Sequence, residues 1–219
     1  MSVVTISREF GSEGRSIAEK VAQTLGYHLV DKTTMENVLV QYGFVEFEQE
    51  YNVTPGFWAR FDTRRTQMVD MLNRIIQALA RHGNTVILGR GGFAVLRGFA
   101  DVLNVRIHAP LPIRVRRVMA RQKISERGQA EAIVKENDKV RVEFVQSFYS
   151  IHWDAASAFD VVIDTGKVSP ELTASWLVDA VQGLLQQTSG EERTARLIQV
   201  EPILASVVSS VLGCTVEHD

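Results

Sequence analysis

Five short runs rich in β-branched residues, at 3–6, 27–30, 85–88, 102–109 and 159–163, alternate with segments of helical periodicity along most of this chain. The runs at 3–6 and 85–88 are apolar nearly throughout rather than every second residue, the pattern of strands buried on both faces. Between them, Ile17, Val21 and Leu25 form one helical stripe ended by Gly26. Met68, Met71, Leu72, Ile75, Ile76 and Leu79 form another, ended by Gly83. Ser169-Pro170-Glu171 reads as an N-cap, an N1 proline and an acidic first turn, opening a helix to about Gln187. Strands that need cover on both faces, supplied with a helix after nearly every one, predict an α/β fold with a mainly parallel five-stranded sheet.

This pattern spans residues 1–187. Residues 188–219 form a polar linker and an apolar segment of unknown role, in which Leu197, Ile198, Val200, Ile203, Leu204, Val207, Val208, Val211 and Leu212 are too apolar to dangle. They are expected to pack on a second subunit, as a homodimer, or on the domain itself. The formal charge of −2 predicts no nucleic-acid partner. Cys214 is the single cysteine, so no intrachain disulfide forms. The N-terminus runs straight into 3–6 without a secretory pattern, and no window approaches a membrane span. A cytoplasmic location is expected. The five histidines lack metal-ligand spacing, and His152-Trp153-Asp154 has no nucleophile nearby, which leaves hydrolase chemistry unsupported. Tyr51, Phe57, Trp58 and Phe61, beside Arg60, Arg64 and Arg65, can stack a base or serve as core or subunit contact.

The chemistry-bearing residues fall where the strands end. Gly11-Ser12-Glu13-Gly14-Arg15-Ser16 joins the first strand to the first helix, where backbone amides and a helix N-terminus favour phosphate. Against G-x-x-x-x-G-K-[ST], Gly14 and Ser16 match, Arg15 replaces lysine and Glu9 replaces the first glycine. Arginine keeps the cation but changes its geometry, and Glu13 must point to solvent if phosphates are bound. A plain strand-to-helix turn is the competing reading. Gly89-Arg90-Gly91-Gly92 ends the third strand on the same edge. Arg114, Arg117 and Arg121 recur at helical spacing, and no acid lies between Ile113 and Ser125. These charges repel one another unless an anion meets them, as a lid over transferred phosphates would provide.

In this order, ISREFGSEGRSIAEKVA, YHLVDK, VILGRGG, VRIHAPLPIRVRRVMARQ, NDKVR and FDVVIDTGKVSPE resemble the cytidylate kinase-like family of nucleoside monophosphate kinases. The match runs from Val3 to about Gln187, and arginine at the loop's lysine position is usual in the branch it resembles. The resemblance implies a three-layer α/β/α P-loop nucleotide kinase fold with a helical lid, using ATP and Mg2+ on small nucleotide substrates. Residues 11–16 would hold the donor phosphates, with Arg15 as the fixed cation and Ser16 offering its hydroxyl to magnesium. Arg114, Arg117 and Arg121 would be catalytic lid residues. Asp31, Lys32, Arg90, Asp138 and Arg141 would line the acceptor site.

Three features depart from the better-known members. Gly91 stands in place of the aspartate of a Gly-Arg-Asp motif, Val134 and Asn137 fall at basic positions, and residues 44–65 do not align with the monophosphate-binding insertion. The expected function is ATP-dependent phosphoryl transfer to a nucleoside monophosphate. The alternatives are a nucleotide-binding protein with weak or no turnover, and a kinase for another small metabolite.

Overall fold

The computed structural model describes residues 1–43, 62–187 and 192–213. The aromatic cluster at 51–61 and the side chains of Arg64 and Arg65 lie outside the described residues. Five strands form one sheet: β1 (Val3–Arg8), β2 (His28–Val30), β3 (Thr85–Leu88), β4 (Val102–His108) and β5 (Val161–Asp164). Their order is β2-β3-β1-β4-β5, and every pairing is parallel. β1 is central, with Ile6 opposite both Leu88 and Val105. After β3 the chain crosses to the other side of β1, so the sheet's switch point lies at the carboxyl end of β1.

One face of the sheet is covered by α1 (Gly14–Leu25) and the later helix Pro170–Gln187, through Ile17, Val21, Leu177 and Val181. The other face is covered by α2 (Lys32–Gln41) and α3 (Asp62–His82), through Met35, Leu39, Leu72, Ile75 and Leu79. This is the three-layer arrangement expected. After β3 come the short α4 (Gly92–Val95), then α5 (Leu111–Gln122) and α6 (Arg127–Tyr149). α5 and α6 pack as a pair through Val115, Val118, Ala130 and Val134. Gly128 lies in the first turn of α6. Burial of Ala130 and Val134 against α5 outweighs the modest helix cost of one glycine.

The helices after β5 are α7 (Pro170–Gln187) and α8 (Pro202–Val211). Ser169 caps α7 as its sequence indicates, its Oγ accepting the Leu172 amide at 3.2 Å. The apolar tail packs on the chain's own domain: Ala195, Leu204 and Val208 are buried in the cluster that holds Leu72 and Ile76. Glu201 caps α8 by accepting the Ile203 and Leu204 amides, and Tyr42 at the end of α2 donates to it at 3.1 Å. The buried Asp101 carboxylate accepts the Ala195 amide at 2.7 Å, fixing the segment that leads into α8. No helix among the described residues is long and apolar enough to cross a membrane.

Candidate active site

The loops at the carboxyl ends of β1, β2, β3 and β4 converge on one edge, and each expected site residue lies on or beside them. The first is the glycine loop. Gly11 has φ +82, and a Cβ there would stand 2.9 Å from the Arg114 carbonyl oxygen, so the close approach to α5 requires glycine. Ser12 is fully buried, and its hydroxyl donates to the Glu9 carbonyl at 2.9 Å. Thr165, just past β5, donates its hydroxyl to the Ser12 carbonyl at 2.8 Å. Glu13 is the N-cap of α1 in a left-handed conformation, φ 63, and its side chain makes no capping bond. The first intrahelical bond is made by the Ile17 amide to Glu13 O at 3.1 Å. The amides of residues 14–16 precede it and point out of the helix end. Such an end suits phosphate oxygens, and Ser16 is exposed beside it in the first turn of α1.

Arg15 is engaged by two carboxylates. Its Nε donates to Glu19 at 2.9 Å, one turn along α1, and its Nη2 donates to Asp31 at 3.1 Å. The side chain is 60% exposed. The physical reason is local: Glu19 and Asp31 both lie within hydrogen-bonding reach of Arg15, and the nearby Arg8 repels it. Arg15→Ala is therefore expected to lower stability by less than about 1 kcal/mol, as for surface ion pairs, and to leave ATP affinity within a few-fold. Nucleotide titration of the purified variant checks this. An affinity loss of an order of magnitude would return Arg15 to the phosphates.

Asp31, expected at the acceptor, is the N-cap of α2 and accepts the Thr34 amide at 3.2 Å. Burial pushes its carboxyl up, but the Thr34 amide and Arg15 outweigh this and hold it below the ordinary aspartate value. Lys32 pairs with Glu36 at 3.3 Å while lining the cavity described below.

The three arginines of α5 do not share one exposed face. Arg114 is buried. Its Nε donates to the Ala109 carbonyl at 2.8 Å and lies 3.1 Å from Glu9 Oε2. Its Nη1 donates to the Phe10 carbonyl at 3.1 Å and to Asp138. Arg117 donates to the Thr165 carbonyl at 2.7 Å, to its hydroxyl at 3.1 Å and to Gly11 O at 3.4 Å, tying the loop to the end of β5. Arg121 stands over the Phe10 ring, 5.4 Å from its centroid, and Arg141 lies 5.5 Å from the same centroid. The charges that lack a nearby acid in the sequence are compensated from a distance, by Glu9 and Asp138 for Arg114, by carbonyls for Arg117 and by an aromatic face for Arg121.

Asp138, expected in the acceptor site, is likewise taken up. It accepts the Phe10 amide at 2.8 Å as well as Arg114. Glu9 is a residue that the sequence reading noted only as a missing glycine. Its Oε2 accepts the Ala109 amide at 3.1 Å, and its Oε1 lies 3.5 Å from the buried Arg106. One acid therefore joins β4, α5 and the glycine loop.

Arg90 and Arg141 come together at one cavity. They line this cavity of about 450 Å³ with Arg8, Lys32, Phe144 and Phe148. Arg90 itself is left-handed, φ 57, between Gly89 and Gly91 at +79 and +76. Its guanidinium lies 5.9 Å from the Phe144 centroid. Burial, opposed by Asp138 and reinforced by Arg90 and Arg114, leaves Arg141 below the ordinary arginine value. Among the described residues no group of three or more His, Cys, Asp or Glu side chains could hold a metal ion.

The sequence profile of the cytidylate kinase-like family matches residues 3–167, and the chain belongs to that family. It is thus a kinase-like phosphotransferase. It is 28% identical to the cytidylate kinase of Ignicoccus hospitalis over 171 residues, covering 78% of this chain and 94% of that one. It is 22% identical to that of Methanocaldococcus jannaschii over 184 residues, covering 83% and 98%. A crystal structure of an uncharacterized protein from Eubacterium ventriosum superposes with a TM-score of 0.66 at 23% identity, covering 83% of this chain and 98% of that one. That likeness concerns the fold.

Proposed function

We propose that this chain transfers the γ-phosphoryl group of ATP to a nucleoside monophosphate. The observation that carries this reading is the convergence, at one sheet edge, of the glycine loop at 11–16 and the arginine-lined cavity beside it. Phosphoryl transfer requires positioning and charge neutralisation more than covalent help from the protein, and a helix end facing fixed cations supplies both. The donor phosphates would lie on the loop at 11–16, on the amides of residues 14–16, since the Ser12 amide is taken by the Glu9 carbonyl. The fit rests on the uncapped first turn of α1, where Ser16 would be the protein's ligand to Mg2+. Bound there, the ion would neutralise charge on the phosphate oxygens.

On the acceptor side, Arg90 and Arg141 would receive the monophosphate, with Lys32 at the rim. Phe144 and Phe148 offer aromatic faces for a base. The printed names of the relatives make CMP the first acceptor to try. Arg114 and Asp138 would act as the internal brace of the loop rather than on substrate, and Arg117 as its tie to β5.

A second reading, nucleotide binding without turnover, draws on the outward turn of Arg15. A panel of nucleoside monophosphates with ATP and Mg2+ separates the two. Acceptor-dependent ADP formation is expected with at least one member, whereas nucleotide binding with no acceptor-dependent ADP would favour the second reading.

A further inference from the structure

A phosphate-binding loop of the G-x-x-x-x-G-K-[ST] kind carries its cation on the residue that opens the following helix. Here that turn is Gly14-Arg15-Ser16, and Arg15 leans away onto Glu19 and Asp31. Gly14 is buried, and a Cβ built on it would come within 2.5 Å of Arg8 Cβ and 2.9 Å of Arg8 Cγ. The room that an inward side chain at 14 would need is thus filled by the stem of Arg8, which rises from the end of β1. The same side chain ends against Gly89 on the acceptor side, where a Cβ would stand 3.1 Å from Arg8 Cζ and overlap Nη1. Two glycines on two different loops are moulded around one arginine.

That arginine is unusual in its surroundings. Among the described residues its guanidinium has no hydrogen bond or ion pair. Burial, then repulsion from Arg141, Arg90 and Arg15, opposed by Asp31, presses its pKa down to about 9. A partly buried cation among cations is unfavourable unless an anion joins them. Arg8 lines the cavity together with Gly89, Arg90 and Gly91, while its stem lies against Gly14 of the glycine loop.

We infer that Arg8 is the cation on the transferring phosphoryl group, delivered from the end of β1 where other loops deliver a lysine from the helix. This rests on the phosphoryl-transfer reading above. In the step itself the bond from the γ-phosphorus to the ADP oxygen breaks and a bond to an acceptor phosphate oxygen forms. Arg8 stays protonated throughout and contributes charge and hydrogen bonds at both ends of the transfer.

The test uses inorganic tripolyphosphate as the probe, read by calorimetry and by thermal unfolding of the full chain. The parent should bind it and unfold at a higher temperature in its presence. Arg8→Met should unfold no lower than the parent without the anion, because an uncompensated charge is gone. Its tripolyphosphate affinity should fall by roughly 10–100-fold, the worth of charge-assisted hydrogen bonds. Arg8→Gln provides the same reading should the methionine variant not fold. In Arg8→Gly, adding Gly14→Lys should recover part of the lost affinity, since the room vacated by the arginine then admits a cation from the helix. Tripolyphosphate binding unchanged in Arg8→Met and Arg8→Gln would overturn the assignment. So would acceptor phosphorylation at the parental rate in either variant, and that result would leave the kinase reading in place. Lost tripolyphosphate affinity supports the role of Arg8 whether or not an acceptor has been found.

Discussion

Arg114→Met is expected to cost about 3–5 kcal/mol of stability, the scale on which breaking a buried charge network is felt. The side chain is 9% exposed and is shared between Glu9 and Asp138, with two carbonyls completing its hydrogen bonds. Methionine fills much of the same space but leaves two carboxylates of like charge facing the vacated site. Those acids hold the Phe10 and Ala109 amides, so the loop and the start of α5 loosen together. The effect should appear as a lower denaturant midpoint at unchanged m-value, with turnover falling in step with the folded fraction. A fully stable Arg114→Met that binds nucleotide but has lost turnover would instead make Arg114 a residue that acts on the phosphates.

Gly91→Asp, which would restore the Gly-Arg-Asp motif of better-known enzymes, should destabilise this chain rather than improve it. Gly91 has φ +76, and a Cβ there would stand 2.5 Å from Cζ and 2.7 Å from Oη of Tyr149. The ring occupies the place an aspartate would take. Its hydroxyl donates to Asn73 at 3.2 Å and approaches the Arg90 carbonyl at 3.5 Å, and Phe144 meets the ring edge-on at 6.2 Å. The aspartate brings left-handed strain of about 1–2 kcal/mol and forces the tyrosine out of these contacts, for a total of roughly 2–4 kcal/mol. Adding Tyr149→Ala to Gly91→Asp should recover the steric part and leave the strain. Chemical denaturation of the single and double variants gives the answer, and an aspartate variant as stable as the parent would contradict this account of the loop.

The sheet and its cover were legible because burial on both faces writes itself into uninterrupted apolar runs. Ile6, Val86 and Val105 are fully buried in that sheet. Strand ends were less so. The fifth strand begins at Val161, not at Phe159, because Phe159 follows a 3-10 turn at Ala156–Ala158 and packs on Phe93 instead. Glycines also read well where they cap: Gly26 takes the left-handed C-cap of α1. The tail gave its apolarity but not its address, since nothing local says that Leu204 belongs against α3.

Within the site, the loops were found and the directions of their side chains were not. Motif spacing assigns Arg15 to a position, but Glu19 and Asp31 decide where its guanidinium goes. Arg114 looked uncompensated because its acids lie at Glu9 and Asp138, far along the chain and brought near only by the sheet. Arg8 was hidden in a strand. The signal that could have found it is the pairing of glycines at 14 and 89, each of which makes room for the same side chain.

The central claim is that this site moves a phosphoryl group between nucleotides. It is tested most directly by incubating the chain with γ-labelled ATP, Mg2+ and each of the nucleoside monophosphates in turn, CMP first, and separating the products. Label is expected in the diphosphate of at least one acceptor, dependent on that acceptor. Label that stays in ATP, or passes only to inorganic phosphate with every monophosphate offered, would contradict it.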